Sequence, residues 1–247
     1  MDKIEALKEM IDSSNGKVVF FGGAGVSTAS NIPDFRSSNG IYSESYGTIP
    51  IEQIISHTFF MKHPDIFYEV YKDKLCFPNA KPNYCHKTLS ELEKRGLLSS
   101  VITQNIDNLH QMAGSKRVIE LHGSVYRNYC MKCHKPYTLE YVLNSKGIPM
   151  CDCGGMVKPD VVLYEESLDY NSITNALNEI SNANTLIIGG TSLSVYPAAG
   201  FIDYFRGENL VIINKSSTIR DKEANLLIND DISEVFRKLM ELYDWFY

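Results

Sequence analysis

The feature that most constrains how this chain can fold is an apolar run that passes directly into a glycine-rich loop. Residues 17–21 read KVVFF, and residues 22–25 read GGAG. A buried strand that ends in glycines is typical of a phosphate-binding turn, because glycine lets backbone N–H groups approach a pyrophosphate at the start of a helix. Segment 23–28 (GAGVST) matches the dinucleotide pattern except that Thr28 stands at the third glycine. A tight strand-to-helix turn without a ligand is the alternative.

The helix that should follow this loop is expected to be short. Residues 31–36 read NIPDFR. A proline lacks the N–H group that a helix needs and clashes with the preceding turn, so Pro33 should end the helix within about two turns of the glycines. An aromatic residue, Phe35, and a cation, Arg36, follow the break at once.

Apolar runs and helical patterns alternate along much of the remaining chain. Each run is nearly all apolar, as expected for the strands of a parallel sheet that is covered on both faces. The sequence therefore predicts an α/β fold, a Rossmann-like parallel sheet with helices on both faces. The other predicted strands are residues 100–103, 185–188 and 210–213, and the predicted helices are residues 2–13, 84–94, 168–180 and 198–205.

Small or polar residues follow the predicted strands at their carboxyl ends. Those singled out are Gln104, Asn105, Thr191, Ser192 and Asn214. The carboxyl ends of parallel strands meet at one edge of a sheet, where open α/β folds bind their ligands. We therefore expect one crevice beside the glycine loop. Asn105 and Asp107 could instead cap the helix that follows them.

One histidine stands apart from the others by its position. His122 precedes Gly123 where the chain leaves the predicted sheet for an insertion, and clefts form at such junctions. A neutral imidazole there can act as a general base near neutral pH. The remaining histidines are expected to be structural or surface groups: His57, His63, His86, His110 and His134.

Four of the six cysteines form two close pairs. Cys130 and Cys133 are separated by two residues, and Cys151 and Cys153 by one. A single pair could be a redox disulfide, but two pairs at this distance can supply four thiolates to one tetrahedral zinc ion. Four protein ligands leave no open position, so this zinc is expected to be structural. The other two cysteines, Cys76 and Cys85, are expected to be buried apolar residues.

Two stretches interrupt the alternation of strands and helices. One is rich in aromatic residues without a clear strand and is interpreted as a helical insertion, and the other carries the paired cysteines. We expect the two insertions to form a small domain beside the sheet domain. The predicted boundaries are 1–39, 81–125 and 157–247 for the sheet domain, 40–80 for the helical insertion and 126–156 for the zinc-binding insertion.

Charge and hydropathy exclude some classes of partner. The net charge is −6, so the chain has no basic footprint for a nucleic acid. No apolar run reaches the length of a membrane span, and the charged start of the chain does not have the pattern of a signal peptide. A cytoplasmic, monomeric protein without nucleic-acid or membrane partners is expected.

Taken together, these motifs resemble the sirtuins, the NAD-dependent protein lysine deacylases, in an arrangement similar to the bacterial type. Segment 23–37 is similar to the cofactor loop of that family. The other motifs follow in the order of the family and span nearly the whole chain: TQNID (103–107), HG (122–123), the paired cysteines, KPDVVLYEE (158–166), GTSLSVYPAA (190–199) and IIN (212–214).

The resemblance implies roles for individual residues. His122 would be the general base, and Asn105 would share the catalytic site with it. Val161, Val162, Leu163, Tyr164 and Val195 would pair with the substrate backbone as flanking strands. The residues that would bind NAD are Ala24, Thr28, Phe35, Arg36, Gln104, Ile106, Asp107, Thr191, Ser192, Asn214 and Ile232. The last of these, which follows the Asp230-Asp231 pair, would sit near adenine.

The resemblance also implies the reaction and its substrates. The acetyl group of an acetyl-lysine protein or peptide would pass to ADP-ribose, releasing nicotinamide, O-acetyl-ADP-ribose and the free lysine. NAD would thus be consumed as a co-substrate, and one structural zinc ion would be bound. The loop break at Pro33 would turn the chain back over the nicotinamide-ribose end, with Phe35 shielding the reactive carbon from water.

Some positions depart from the family pattern. Gly22 stands where threonine is common, Asn31 replaces a glycine, and Glu165 replaces the glycine of an FGE triplet. Members that remove acidic acyl groups carry Tyr-x-x-Arg, whereas residues 68–71 read YEVY. A succinyl carboxylate would therefore lack its arginine partner, and acetyl or another uncharged acyl group is expected.

Three other functions share parts of this pattern. A dehydrogenase needs an acidic residue about twenty positions after the glycines to hold a ribose, but Glu44 lies in a loop rather than at a strand end. A non-catalytic NAD or ADP-ribose sensor would not need His122, Asn105 and Asp107 together. Mono-ADP-ribosyl transfer on the same fold is the remaining alternative, since it shares the first chemical step.

Overall fold

The computed structural model describes residues 2–245. In this range the strands are β1 (Val18–Gly22), β2 (Ser45–Tyr46), β3 (Ile49–Pro50), β4 (Ser100–Thr103), β5 (Val118–Glu120), β6 (Gly123–Cys130), β7 (Pro136–Tyr137), β8 (Val157–Val161), β9 (Thr185–Gly189), β10 (Asn209–Ile213) and β11 (Leu226–Ile228). The α-helices in the same range are α1 (Lys3–Ser13), α2 (Ile51–Ile54), α3 (His57–Lys62), α4 (Pro64–Lys74), α5 (Tyr84–Lys94), α6 (Leu109–Met112), α7 (Leu139–Asn144), α8 (Tyr170–Asn182) and α9 (Ile232–Leu242).

The larger sheet is parallel throughout and confirms the predicted fold class. Its strand order is β11-β10-β9-β1-β4-β5, and every neighbouring pair runs parallel. The central strand β1 is buried along its whole length. Gly22 at its end is in register with Thr103 of β4 and Gly189 of β9. The carboxyl ends of three adjacent strands therefore meet at one edge.

Alternate side chains of the central strand pack against different helical layers. Phe20 lies in a cluster with residues of α1, α5 and α9. Phe21 lies in a second cluster with residues of α8 and of the 3₁₀ segment Ala198–Tyr204. Both rings are fully buried, and burial of such a side chain contributes about 1.5–3 kcal/mol. The segment Ala198–Tyr204, expected as an α-helix, is thus a 3₁₀ helix.

The chain after the glycine loop also differs from the expectation of a helix. It forms two single 3₁₀ turns, Ala24–Val26 and Thr28–Ser30. The second turn ends at Asn31, whose φ of 62° lies in the left-handed region that asparagine tolerates better than most residues. No α-helix therefore begins between this loop and the proline, and the expected helix-terminal phosphate site is wrong in that detail.

A smaller body packs beside the parallel sheet. It combines α2, α3 and α4 with an antiparallel sheet of order β7-β6-β8, and they share one buried cluster. The hydroxyl of Tyr68 on α4 donates to the carbonyl of Val157 on β8. Lys72 Nζ donates to the carbonyl of Ser145 at 2.6 Å. The helical stretch also contains a short hairpin, β2-β3, where no strand was expected; Gly47 at its turn has a φ of 60°.

Within residues 2–245, no helix is both long enough and apolar enough to cross a membrane.

Candidate active site

A cavity of about 810 Å³ lies between the carboxyl edge of the parallel sheet and the smaller body. The structure brings together in its wall every predicted catalytic, cofactor-binding and substrate-binding residue. They are Ala24, Thr28, Phe35, Arg36, Gln104, Asn105, Ile106, Asp107, His122, Val161, Val162, Leu163, Tyr164, Thr191, Ser192, Val195, Asn214 and Ile232.

The glycines of the first loop allow close packing against the end of β9. The N–H of Gly23 donates to the carbonyl of Gly189 at 3.2 Å, and the N–H of Gly25 donates to the carbonyl of Gly190 at 2.8 Å. A Cβ at Gly25 would lie only 2.8 Å from Gly190 Cα. These two N–H groups are therefore committed to the end of β9. Thr28, at the third glycine position, closes the turn by donating its hydroxyl to Gly25 O at 3.0 Å.

A buried serine joins two of the predicted residues. Ser27 is 1% exposed, and its hydroxyl donates to Asp107 Oδ2 at 2.6 Å and accepts from Asn105 Nδ2 at 3.0 Å. Asp107 Oδ1 also accepts the N–H of Leu109 at 2.9 Å, so its carboxylate both caps α6 and lines the cavity. Burial raises the pKa of the Asp107 carboxyl, and the bonds from Ser27 and Leu109 oppose that shift. Ser27 was not singled out from the sequence.

His122 is held in one orientation by the main chain. Its Nδ1 lies 2.9 Å from the carbonyl oxygen of Gln104. A carbonyl oxygen can only accept, so Nδ1 carries the hydrogen and Nε2 keeps a free lone pair. Burial lowers the pKa of His122 below its usual 6.5, although the hydrogen bond to Gln104 opposes this. The ring is therefore neutral at pH 7 and can accept a proton at Nε2.

The opposite wall of the cavity is a loop that folds back on itself. The N–H of Ile41 donates to Asp34 O at 2.8 Å, and the N–H of Tyr42 donates to Phe35 O at 2.9 Å. The ring of Phe35 lies 5.2 Å from that of Tyr42. The break at Pro33 therefore leads into a loop that faces the cavity with Phe35 and Arg36.

The segment that follows β8 is fixed from several sides. Three consecutive N–H groups in it donate hydrogen bonds. That of Val162 donates to His122 O, that of Leu163 to Glu166 Oε2 and that of Tyr164 to Ile55 O.

Two acidic residues anchor the end of that segment. Glu166 also lies 3.1 Å from Lys158 Nζ and 2.8 Å from His57 Nδ1. Glu165, which stands where a glycine was expected, has a φ of 75°, and its carboxylate accepts the N–H of Thr58 at 2.8 Å. That hydrogen bond to the start of α3 favours the strained conformation and explains how a non-glycine residue is accommodated.

The far end of the cavity is bounded by the ends of β9 and β10. Asn214 accepts the N–H of Thr191 through Oδ1 and donates to Thr191 O through Nδ2, both at 3.0 Å. Ile232 packs over Gly189, where a Cβ would lie 2.2 Å from its Cδ1. Lys215 lines the same region and pairs with Asp231 at 2.8 Å. This cation was missed because no motif follows Asn214 in the sequence.

Four thiols meet at the tip of the smaller sheet, those of Cys130, Cys133, Cys151 and Cys153. Their Sγ atoms all lie within 4.8 Å of one another, and four Zn–S bonds of about 2.3 Å require sulfurs about 3.8 Å apart. The N–H groups of Lys132 and Cys133 donate to Cys130 Sγ at 3.3 and 3.4 Å. A side chain at Gly155 would meet that sulfur at 2.7 Å. The donor set fits a structural zinc ion, including the short pair Cys151-x-Cys153.

The chain is similar to proteins of one family over nearly its whole length. Residues 23–197 match the model of the Sir2 family. An NAD-dependent protein deacetylase of Clostridium perfringens (strain 13 / Type A) is 60% identical over 243 residues, 97% of this chain and 99% of that protein. A Sir2 variant structure with a deacetylated p53 peptide and 3′-O-acetyl ADP-ribose has a TM-score of 0.88 and 41% identity over 98% of both chains. A Sir2 structure with a p53 peptide and NAD⁺ has a TM-score of 0.87 and 41% identity over 99% of both chains.

Proposed function

This chain belongs to the Sir2 family and is an NAD-dependent protein deacetylase, and we propose that His122 is the general base of its reaction. NAD, when bound, supplies the ADP-ribose that accepts the acetyl group, with nicotinamide as the leaving group. The observation that supports the role of His122 is its fixed tautomer: Nδ1 donates to Gln104 O, so Nε2 is the free proton acceptor. It lines the same cavity as the residues proposed to hold NAD.

We propose that the two ends of the cavity hold different parts of NAD. Asn105, Ile106 and Asp107 would hold the nicotinamide, with the Asp107 carboxylate accepting from its carboxamide. Gln104 would approach the ribose, while Ala24, Thr28, Phe35 and Arg36 would enclose the cofactor from the loop side. The remaining contacts, to phosphate, adenosine ribose and adenine, would come from Thr191, Ser192, Asn214 and Ile232.

The acyl-lysine chain would enter between two main-chain segments. Residues 161–164 and Val195 both line the cavity, so a peptide could add as a strand between them. The N–H of Leu163 already donates to the Glu166 carboxylate. A peptide carbonyl would therefore compete with that carboxylate for the N–H.

Acetyl or another uncharged acyl group is the proposed substrate. Tyr71, which stands where acidic-acyl deacylases carry arginine, is fully buried, so a carboxylate would find no cation there.

We also propose the cellular context and domain plan expected from the sequence. The protein would act as a cytoplasmic monomer on acetyl-lysine proteins or peptides, without a nucleic-acid or membrane partner. Residues 40–80 and 126–156 would form a small domain beside the sheet domain. The shared buried cluster of α2, α3, α4 and the antiparallel sheet supports this division.

Mass spectrometry of the products tests the function directly. The protein is mixed with NAD and matched peptides that carry acetyl-lysine, succinyl-lysine or unmodified lysine. We expect nicotinamide, O-acetyl-ADP-ribose and free lysine from the acetyl peptide, and little product from the other two. A peptide that gains ADP-ribose would identify mono-ADP-ribosyl transfer instead, and conversion of NAD to NADH would identify a dehydrogenase.

A further inference from the structure

A tyrosine hydroxyl joins the two walls of the cavity. Tyr164 Oη lies 2.8 Å from Tyr42 Oη and accepts a hydrogen bond from Arg36 Nη2 at 3.2 Å. The guanidinium carbon of Arg36 also lies 5.3 Å from the centroid of the Tyr42 ring. The cofactor side of the cavity is thus linked to the segment proposed to receive the peptide.

The two partners on the cofactor side belong to one folded unit, the loop of residues 34–42. Its main chain is closed by the Asp34–Ile41 and Phe35–Tyr42 bonds described above. Asp34 Oδ1 also accepts the N–H of Arg36 at 3.0 Å. A contact that holds Arg36 and Tyr42 therefore holds Phe35 between them.

On the other side, Tyr164 is a fixed point. Its N–H donates to Ile55 O at 3.2 Å, and its carbonyl accepts the N–H of His57 at 2.9 Å. Its main chain is therefore anchored to α2 and α3 whether or not the hydroxyl makes its bonds. Burial, together with the bond to Tyr164, raises the pKa of Tyr42, so Tyr42 stays a neutral hydroxyl at the pH of an assay.

We propose that the Tyr164 hydroxyl is a positioning group that keeps the loop of residues 34–42 closed over the reacting ribose and so suppresses hydrolysis of NAD. This inference rests on the proposed function. If the loop loosens, Phe35 no longer excludes water from C1′ of the nicotinamide ribose, the carbon that carries nicotinamide. The bond from C1′ to nicotinamide then breaks, a bond from C1′ to a water oxygen forms, and a proton is released, giving ADP-ribose without acetyl transfer.

Tyr164→Phe tests this proposal, because it removes the hydroxyl and keeps the ring and both main-chain bonds. Initial rates of ADP-ribose and O-acetyl-ADP-ribose formation are measured by mass spectrometry, with the KM for NAD and kcat. Loss of hydrogen bonds of this kind typically costs about 0.5–1.5 kcal/mol, so the ratio of ADP-ribose to O-acetyl-ADP-ribose should rise about 2- to 10-fold. The KM for NAD should rise as well, which a uniform loss of active protein would not cause.

Three further variants complete the test. Tyr42→Phe should shift the ratio in the same direction, and the double variant should do no more than Tyr164→Phe alone, because Tyr164→Phe already removes the bond that the two hydroxyls share. Tyr204→Phe, at an exposed tyrosine outside the cavity wall, is the control and should leave the ratio unchanged. An unchanged ratio in Tyr164→Phe, or additive shifts in the double variant, overturns the proposal. A wild-type protein that makes no O-acetyl-ADP-ribose overturns the proposed function, and this inference with it.

Discussion

The hydroxyl of Ser27 donates a 2.6 Å hydrogen bond to the carboxylate of Asp107, a residue 80 positions away in the chain. The bond connects the first loop of the sheet to the end of β4, which carries the proposed nicotinamide pocket. Because the same hydroxyl accepts from Asn105, one serine orients two side chains of that pocket.

Removal of this hydroxyl should impair the reaction. Ser27→Ala removes a hydrogen-bond partner of two half-buried polar side chains, Asn105 and Asp107, a loss of about 1–3 kcal/mol, so kcat/KM for NAD should fall about 10- to 100-fold. Inhibition by nicotinamide should weaken, because the pocket no longer presents Asp107 and Asn105 in fixed positions. Ser30→Ala is the matched control: it removes a buried hydroxyl of the same loop that contacts Asn83 instead. Equal nicotinamide inhibition in wild type and Ser27→Ala would contradict this role.

The low pKa of His122 predicts the acid limb of the activity profile. A general base must be deprotonated, so activity falls as pH drops through its pKa. Burial places that pKa below 6.5, so kcat/KM at pH 6.5 should still exceed half of its maximum. His122→Ala should abolish deacetylation while NAD still binds, as measured by calorimetry. Full activity in that variant would disprove the general-base assignment.

The central part of the fold could be predicted because its strands leave little ambiguity. Residues 18–21 are all apolar, and the buried strand β1 follows from them directly. The strands β5 and β11 were not predicted, since each has only three residues and is partly exposed. A segment this short carries too little periodicity to be distinguished from a loop.

The site was predictable in its motif residues and less so in its contacts. The resemblance named many residues of the cavity wall, but not Lys215, and not Ser27, whose role depends on a partner 80 positions away. The glycine pattern was interpreted as allowing a ligand to approach, whereas the structure shows that a side chain at Gly25 would lie only 2.8 Å from Gly190 Cα. Packing between distant segments decides such details, and a local pattern does not record it.

Removal of zinc should abolish activity although the metal site lies outside the cavity. The strand β6 begins at Gly123, directly after His122, and β8 ends at Val161. A structural zinc site contributes on the order of 10 kcal/mol of apparent binding energy, and its loss should disorder the sheet that positions both residues. Cys151→Ser should lower the zinc content and abolish deacetylation. Cys85→Ala, a buried cysteine outside the cluster, should retain one zinc ion and activity; an active, metal-free Cys151→Ser protein would show that the zinc is dispensable.

Two buried histidines should make the protein less stable in mild acid. His86 and His110 are 0% and 1% exposed, and their ring centroids lie 4.6 Å apart. Burial lowers the pKa of His110 to about 3, and burial followed by repulsion from His110 lowers that of His86 well below 6.5. Below pH 6.5 the unfolded chain therefore binds protons that the folded protein does not. The free energy of unfolding should fall by up to about 1.4 kcal/mol per pH unit for each ring.

Urea unfolding at pH 7.5 and pH 5.5, with zinc in excess, measures this dependence. His110→Leu removes one of the two titrating rings, so its loss of stability between the two pH values should be smaller than that of the wild type. The exposed His63 provides the control, because His63→Gln replaces a histidine that is not part of the buried pair. If the free energy of unfolding depends on pH equally in wild type and in His110→Leu, His110 binds its proton as readily in the folded protein as in the unfolded chain. That outcome would contradict a pKa lowered by burial.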